Sequence, residues 1–189
     1  MDDAALIRGT LAGRREDFEI LVERYQKPLY GFVHRLVRDD AQTADIVQMT
    51  FLHAYTHLGQ FAGRASFKTW LHQIAQNECR AAHRRGRQTV SLDEMSEASV
   101  HRARVDAGHS GGTDPAADGG PGGSGWRPVL ERLVARLPFR QRTVVALRIF
   151  SDLPFADIAL ATGTSENAAK VNYHHAITRL RAWLREADR

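Results

Sequence analysis

Gln73, Asn77, Arg80 and Arg84 recur every three to four residues, which sets two amides and two guanidinium groups along one stripe of a helix. No row of carboxylates accompanies them, so these donors suit an outside acceptor; phosphate oxygens and base edges are the acceptors they fit. His53 and His57 stand at i and i+4, the spacing of a helical metal pair. No suitably spaced carboxylate or cysteine completes a ligand set, so no metal site and no cofactor is expected. The single cysteine, Cys79, has no partner for an internal disulfide and reads as an ordinary partly buried thiol rather than a redox sensor. Paired carboxylates and nucleophile constellations are lacking, so no catalytic residue is assigned.

The donor stripe needs a helix behind it, and the apolar residues supply one. Phe67, Trp70, Leu71, Ile74 and Ala75 repeat at offsets 0, 3, 4, 7 and 8, the period of an amphipathic helix. Upstream, Val47, Phe51, Ala54, Tyr55 and Leu58 fall at 0, 4, 7, 8 and 11 and predict a partner helix with a polar outer face. A short aromatic and Gly-containing loop joins the two. Before them, Phe18, Leu21, Val22, Tyr25, Leu29, Phe32, Val33 and Leu36 form the longest helical period, with Pro28 expected to bend it. Asp39 and Asp40 close that helix and offer a cap to the next.

Composition then shifts. Nine of the 15 glycines lie between Gly86 and Trp126, and GHSGGTDPAADGGPGGSG has almost nothing to bury, which predicts a flexible tether spanning roughly 35 Å on average. Beyond it, Leu130, Leu133, Val134 and Leu137 mark one helix, with Pro138 fitting the start of the next. Ile158 and Ala159 sit on a short helix, Gly163 follows, and Thr164 or Ser165 caps a longer one. This is helix-turn-helix spacing, with a residue tolerant of positive φ in the turn. Ala169, Tyr173, Ala176, Leu180 and Trp183 should face inward, leaving Asn167, Lys170, Val171 and His174 toward a major groove. The expected fold is all-α: two small helical domains at 1–86 and 127–189, joined by a flexible linker at 87–126.

Charge agrees with a polyanionic partner. Lys and Arg against Asp and Glu number 12 to 10 over 1–85, 3 to 6 over 86–126 and 11 to 6 over 127–189, so the ends are basic around an acidic middle. No run of 18 apolar residues occurs, and the segment MDDAALIRGT has no apolar h-region. Membrane insertion and a signal peptide are therefore not expected, and a cytoplasmic location is.

Both ordered parts resemble a known family. DFEILVERYQKPLYGFVHRLVRD, DIVQMTFLHAY and FAGRASFKTWLHQIAQN look like region 2 of an extracytoplasmic-function (ECF, group 4) sigma factor of the sigma-70 family. LPFRQRTVVALRIFSDLPFADIALATGTSENAAKVNYHHAITRLR resembles its region 4. The order of these stretches, without region 1.1 or a full region 3, is what makes the likeness specific. The resemblance implies a transcription initiation factor, not an enzyme by itself, that binds core RNA polymerase at its β′ clamp and β flap and directs it to promoter DNA. Region 2 would read and open the −10 element and region 4 would read the −35 element; an anti-sigma factor is a further implied partner.

Carried onto matching positions, Asp45, Gln48 and Phe51 fall in the polymerase-docking segment. Residues 61–66, with Phe61, Gly63, Arg64 and Ser66, fall in the loop that captures a flipped-out base, and Asn77, Arg80 and Arg84 fall where the duplex edge is met. Arg148, Asn167, Lys170, Val171, His174 and His175 fall on the −35-reading surface. Met49 stands where the family usually has an acidic residue, and Asn172 with His175 replace a usual pair of arginines. The alternative is a free-standing helix-turn-helix regulator that binds duplex DNA without polymerase, and such a protein has no need of a base-capture loop.

Overall fold

The computed structural model describes residues 1–94 and 126–187, and every regular element among them is helical. The tether expected over 87–126 therefore lies, from 95 to 125, outside the described residues. The N-terminal unit consists of α1 (Asp3–Leu11), α2 (Arg15–Val37), α3 (Asp40–Thr56), a 3-10 turn (Leu58–Gln60) and α4 (Phe67–Glu94). The C-terminal unit holds α5 (Trp126–Ala135), α6 (Phe139–Val145), α7 (Phe155–Thr162) and α8 (Glu166–Ala187).

Local signals account for most boundaries. The Asp39 carboxylate accepts from the Gln42 amide at 2.7 Å and caps α3, while Arg38 in the left-handed region ends α2. Helix α2 runs unbroken through Pro28, so the proline does not divide it. Helix α1 has no counterpart in the sequence reading: Asp2 caps it, and Leu6 and Ile7 are buried against α2. Its close approach needs Gly9, where a Cβ would stand 1.5 Å from an Asp17 carboxylate oxygen. Arg24 and Tyr25 of α2 both bond the Asp3 carboxylate, and burial, followed by that carboxylate, pushes the Tyr25 hydroxyl pKa up. Helix α4 continues past the expected boundary at 86.

Helix α6 passes into one π turn, Ala146–Phe150, closed by Ser151 N–H donating to Ala146 O at 3.1 Å. Gly163, with φ of 65°, ends α7 in the left-handed region, and the Ser165 hydroxyl accepts from the Ala168 amide at 3.1 Å to cap α8. The turn chemistry read from the sequence is the chemistry that forms.

The two units pack against each other. Leu147, Leu153, Ile158 and Ala161 join one continuous core with Leu21, Phe32, Phe67 and Leu71, while Leu133, Val134, Leu137, Val145, Ala176 and Leu180 form a second, smaller core. Polar contacts cross the same junction. Thr69 donates to Asp157 Oδ2 at 3.1 Å, Arg142 donates to Leu36 O at 3.0 Å, and Arg35 lies 3.9 Å over the Phe150 ring. His83 stacks on Phe139 with ring centroids 5.0 Å apart. His72 is buried at the centre, its Nδ1 2.8 Å from Lys68 O, its Nε2 2.9 Å from Ser151 Oγ, and its ring against Phe32. A neutral ring protonated at Nδ1 fits both partners, Nδ1 donating to the carbonyl and Nε2 accepting from the hydroxyl.

Two outcomes follow from this packing. Leu71→Ala removes a fully buried side chain at the centre of the core and should lower unfolding free energy by about 2–5 kcal/mol in urea titration. Burial pulls the His72 pKa down to about 4, against the smaller opposing effect of its hydrogen bond to the Lys68 carbonyl, and so below the unfolded value of about 6.5. The packed state thus binds fewer protons than the unfolded one across that window. Stability is whole above about pH 6.5 and should fall by roughly 2–3 kcal/mol on reaching about pH 4.5. The unfolding midpoint measured against pH checks this, and His72→Gln should flatten the slope.

Candidate nucleic-acid interface

The donor stripe forms as its spacing requires. Asn77, Arg80 and Arg84 are exposed and Gln73 half-buried along one side of α4, while Phe67, Leu71 and Ala75 turn into the core. Arg80 also donates to Thr162 O at 3.4 Å, a contact with the C-terminal unit. Cys79, between these faces, is buried, and that burial pushes its thiol up to about 12. It stays protonated and inert.

The loop before α4 is built on aromatic packing. Phe61 is half-buried, its ring 5.2 Å from Trp70 and 6.1 Å from Phe67 by centroid. Gly63 takes φ of 67°, which only a residue without Cβ adopts freely, and Arg64 is exposed beside it. Ser66 accepts from the Thr69 amide at 3.1 Å and so starts α4. Rings on one side and exposed backbone on the other can stack and hydrogen-bond an unpaired base.

Helix α3 presents a separate face. Asp45 and Gln48 are exposed together with Met49 and Leu52, the latter two 41% and 51% accessible. Acidic, amide and apolar groups on one continuous stripe suit a protein partner. Two expectations change here. Phe51 is buried, because at four residues from Val47 it shares the core face; its side chain supports the stripe from beneath. Tyr55, expected inward, is 42% exposed, its ring edge-on to Phe18 at 5.0 Å by centroid. His53 turns to Glu78 at 3.1 Å, and no cluster of three metal-binding side chains occurs among the described residues.

On α8, Asn167, Lys170, Val171, His174 and His175 are all exposed, while Ala169, Ala176 and Leu180 are buried. Lys170 is held by Glu166 at 2.7 Å one turn earlier; both are in solvent, so the pair is easily exchanged for a phosphate or base. Arg148 does not join this surface freely, since its guanidinium donates to Leu153 O at 3.0 Å and lies over the Phe155 ring. The residues that sequence reasoning missed are Thr69, His72, Ser151 and Asp157, which bond across the junction between units. A second polar run on α4, at 69, 72, 76, 80 and 83, was the available signal.

Residues 21–89 match the family Sigma-70 region 2, and residues 128–180 match Sigma-70, region 4. The chain is 31% identical over 163 residues to the RNA polymerase sigma-H factor of Pseudomonas aeruginosa, covering 83% of this chain and 80% of that protein. It is 30% identical over 165 residues to the ECF RNA polymerase sigma-E factor of Haemophilus influenzae, covering 84% and 82%. In fold it is similar to CnrH, solved in complex with the cytosolic domain of CnrY, with a TM-score of 0.69 at 21% identity over 99% of each chain. It also resembles the sigma factor RpoE of Bartonella quintana, solved with the anti-sigma factor NepR, with a TM-score of 0.66 at 23% identity over 90% and 98%. No described helix is long and apolar enough to cross a membrane. The two family matches, in this order on one chain, and the full-length relatives settle the family: the protein belongs to the extracytoplasmic-function sigma factors of the sigma-70 family.

Proposed function

We propose that this protein binds core RNA polymerase and directs it to specific promoters, residues 1–86 opening the −10 element and residues 127–189 reading the −35 element. It acts as a binding subunit in the cytoplasm, without catalysis of its own. The observation that carries this reading is the coexistence of a duplex-reading helix, α8, with a second basic surface built around a half-buried aromatic loop. A regulator of duplex DNA alone needs only the first. Asp45, Gln48, Met49 and Leu52 are the docking stripe for the β′ clamp, and the C-terminal unit meets the β flap. Phe61, Gly63, Arg64 and Ser66 receive an unpaired base. Asn77, Arg80 and Arg84 hold the duplex edge through phosphates.

On α8, Asn167, Lys170, Val171 and His174 reach base edges, where an amide favours adenine, a lysine favours guanine and an apolar branch favours the thymine methyl. An anti-sigma factor is a fitting regulator, since the RpoE structure to which the fold is similar was solved with one.

Run-off transcription with core polymerase tests the reading: promoter-dependent transcripts should appear only when the protein is added. No transcript, together with no complex with core on a sizing column, would overturn it. Asp45→Lys with Gln48→Lys should abolish core binding while the circular dichroism of the free chain is unchanged. Lys170→Ala should weaken −35 recognition by about 5–100-fold, corresponding to roughly 1–3 kcal/mol, with core binding retained.

A further inference from the structure

The polar side chains of α8 are not equally available to DNA. Asn172 donates to Ala168 O at 2.8 Å and the Thr178 hydroxyl donates to His174 O at 3.0 Å, so both turn back on their own helix. One carboxylate stands exposed in the first turn: Glu166, directly after the Ser165 cap. Its Oε1 lies 2.7 Å from Lys170 Nζ, and the two side chains are 49% and 55% accessible. An acid at this place favours the helix dipole, and a surface pair of this kind adds little stability. The first turn of a recognition helix is also the part that meets base edges. There a carboxylate is repelled by the phosphates on either side unless a donor faces it.

The Lys170–Glu166 pair is a donor and an acceptor held side by side. A G·C pair presents the converse in the major groove, where guanine O6 accepts and cytosine N4 donates. Those two atoms are hydrogen-bonded to each other and so stand about 2.9 Å apart, close to the spacing of the Lys170–Glu166 pair. We propose that Glu166 and Lys170 together read one base pair of the −35 element, Lys170 Nζ donating to guanine O6 and Glu166 accepting from the N4 amine of the paired cytosine. The inference rests on the reading of α8 as the −35 helix and adds the residue that sets the polarity of the contact. With C·G or A·T in that place, an amine faces the ammonium and a carbonyl faces the carboxylate, so both contacts fail. T·A keeps the order of acceptor and donor but lacks guanine N7, the second acceptor that suits Lys170. Glu166 therefore supplies specificity more than affinity, by penalising the wrong pair.

The test uses core polymerase carrying this chain and a duplex library randomised through both promoter elements, with the bound DNA sequenced. The wild-type chain should fix G·C at one position of the upstream element. Glu166→Ala should admit C·G and A·T there, discrimination falling by about 5–100-fold, while the other positions keep their bases and the preferred sequence is still bound. Glu166→Lys/Lys170→Glu rebuilds the pair with donor and acceptor exchanged, and should turn the selected pair around to C·G. Circular dichroism of each variant reports that the helices persist.

Identical selection by Glu166→Ala and the wild-type chain would overturn the proposal. So would equal relaxation at every position, which is what a carboxylate serving only the helix dipole would give, and so would a swapped variant that still selects G·C. Lys170→Ala and Asn167→Ala, run in parallel, report on α8 itself. If neither of them moves any upstream position, the −35 reading of α8 fails and the proposal with it. If they do and the Glu166 variants are silent, the paired readout alone is wrong.

Discussion

One helix has one circumference, and α4 must divide it among three environments. Phe67, Leu71 and Ala75 face the core of the N-terminal unit, Asn77 and Arg84 face solvent, and Thr69 and His72 meet the C-terminal unit. At 3.6 residues per turn, each environment receives little more than one residue in each turn. The core share cannot be given up, because the largest buried side chains of α2 and α3 pack on it. Whatever α4 does for other partners is done with the remaining two thirds, and Arg80, exposed yet bonded to Thr162 O, lies on the seam between them.

The junction between units adds buried polar contacts to the apolar core they share. His72 and Ser151 exchange one buried hydrogen bond, and Arg142 completes a carbonyl at the C-terminal end of α2 that the helix itself leaves open. Burial lowers the Arg142 pKa, with the nearby Arg38 charge adding to the effect. Bonds of this type are worth little net when made, because water replaces them on separation. They sit beside a continuous apolar core that the two units share. Leu147, Leu153, Ile158 and Ala161 supply the C-terminal unit's share of that core.

The period of α2, the α3–α4 pair and the left-handed Gly163 were legible because each is a local pattern: apolar spacing or turn chemistry that a few neighbouring residues determine. The exposure of Asn167, Lys170, Val171 and His174 on α8 was legible for the same reason. What was not legible depends on contacts distant in sequence. Helix α1 is short and gains its place from Leu6 and Ile7 meeting α2. Phe51 was placed both with the core residues and with the docking segment, and only packing separates those roles. The stripe Thr69, His72 and Gln76 reads as solvent-facing when taken alone, since polar side chains at helical spacing say nothing of a second unit 79 residues further on at Ser151.

The π turn at Ala146–Phe150 holds one residue more than a regular helical turn would need. Everything after it is rotated by about a residue's worth of helix, roughly 100°. Ser151, which closes that turn, owes to the extra residue the direction in which it meets His72. Remove one residue there and a regular helix results, stable in itself but with Ser151 swung away from its partner. The fit between the two halves of this chain is thus written in backbone length as much as in side-chain chemistry: a single-codon deletion could uncouple them while leaving every contact residue in the gene.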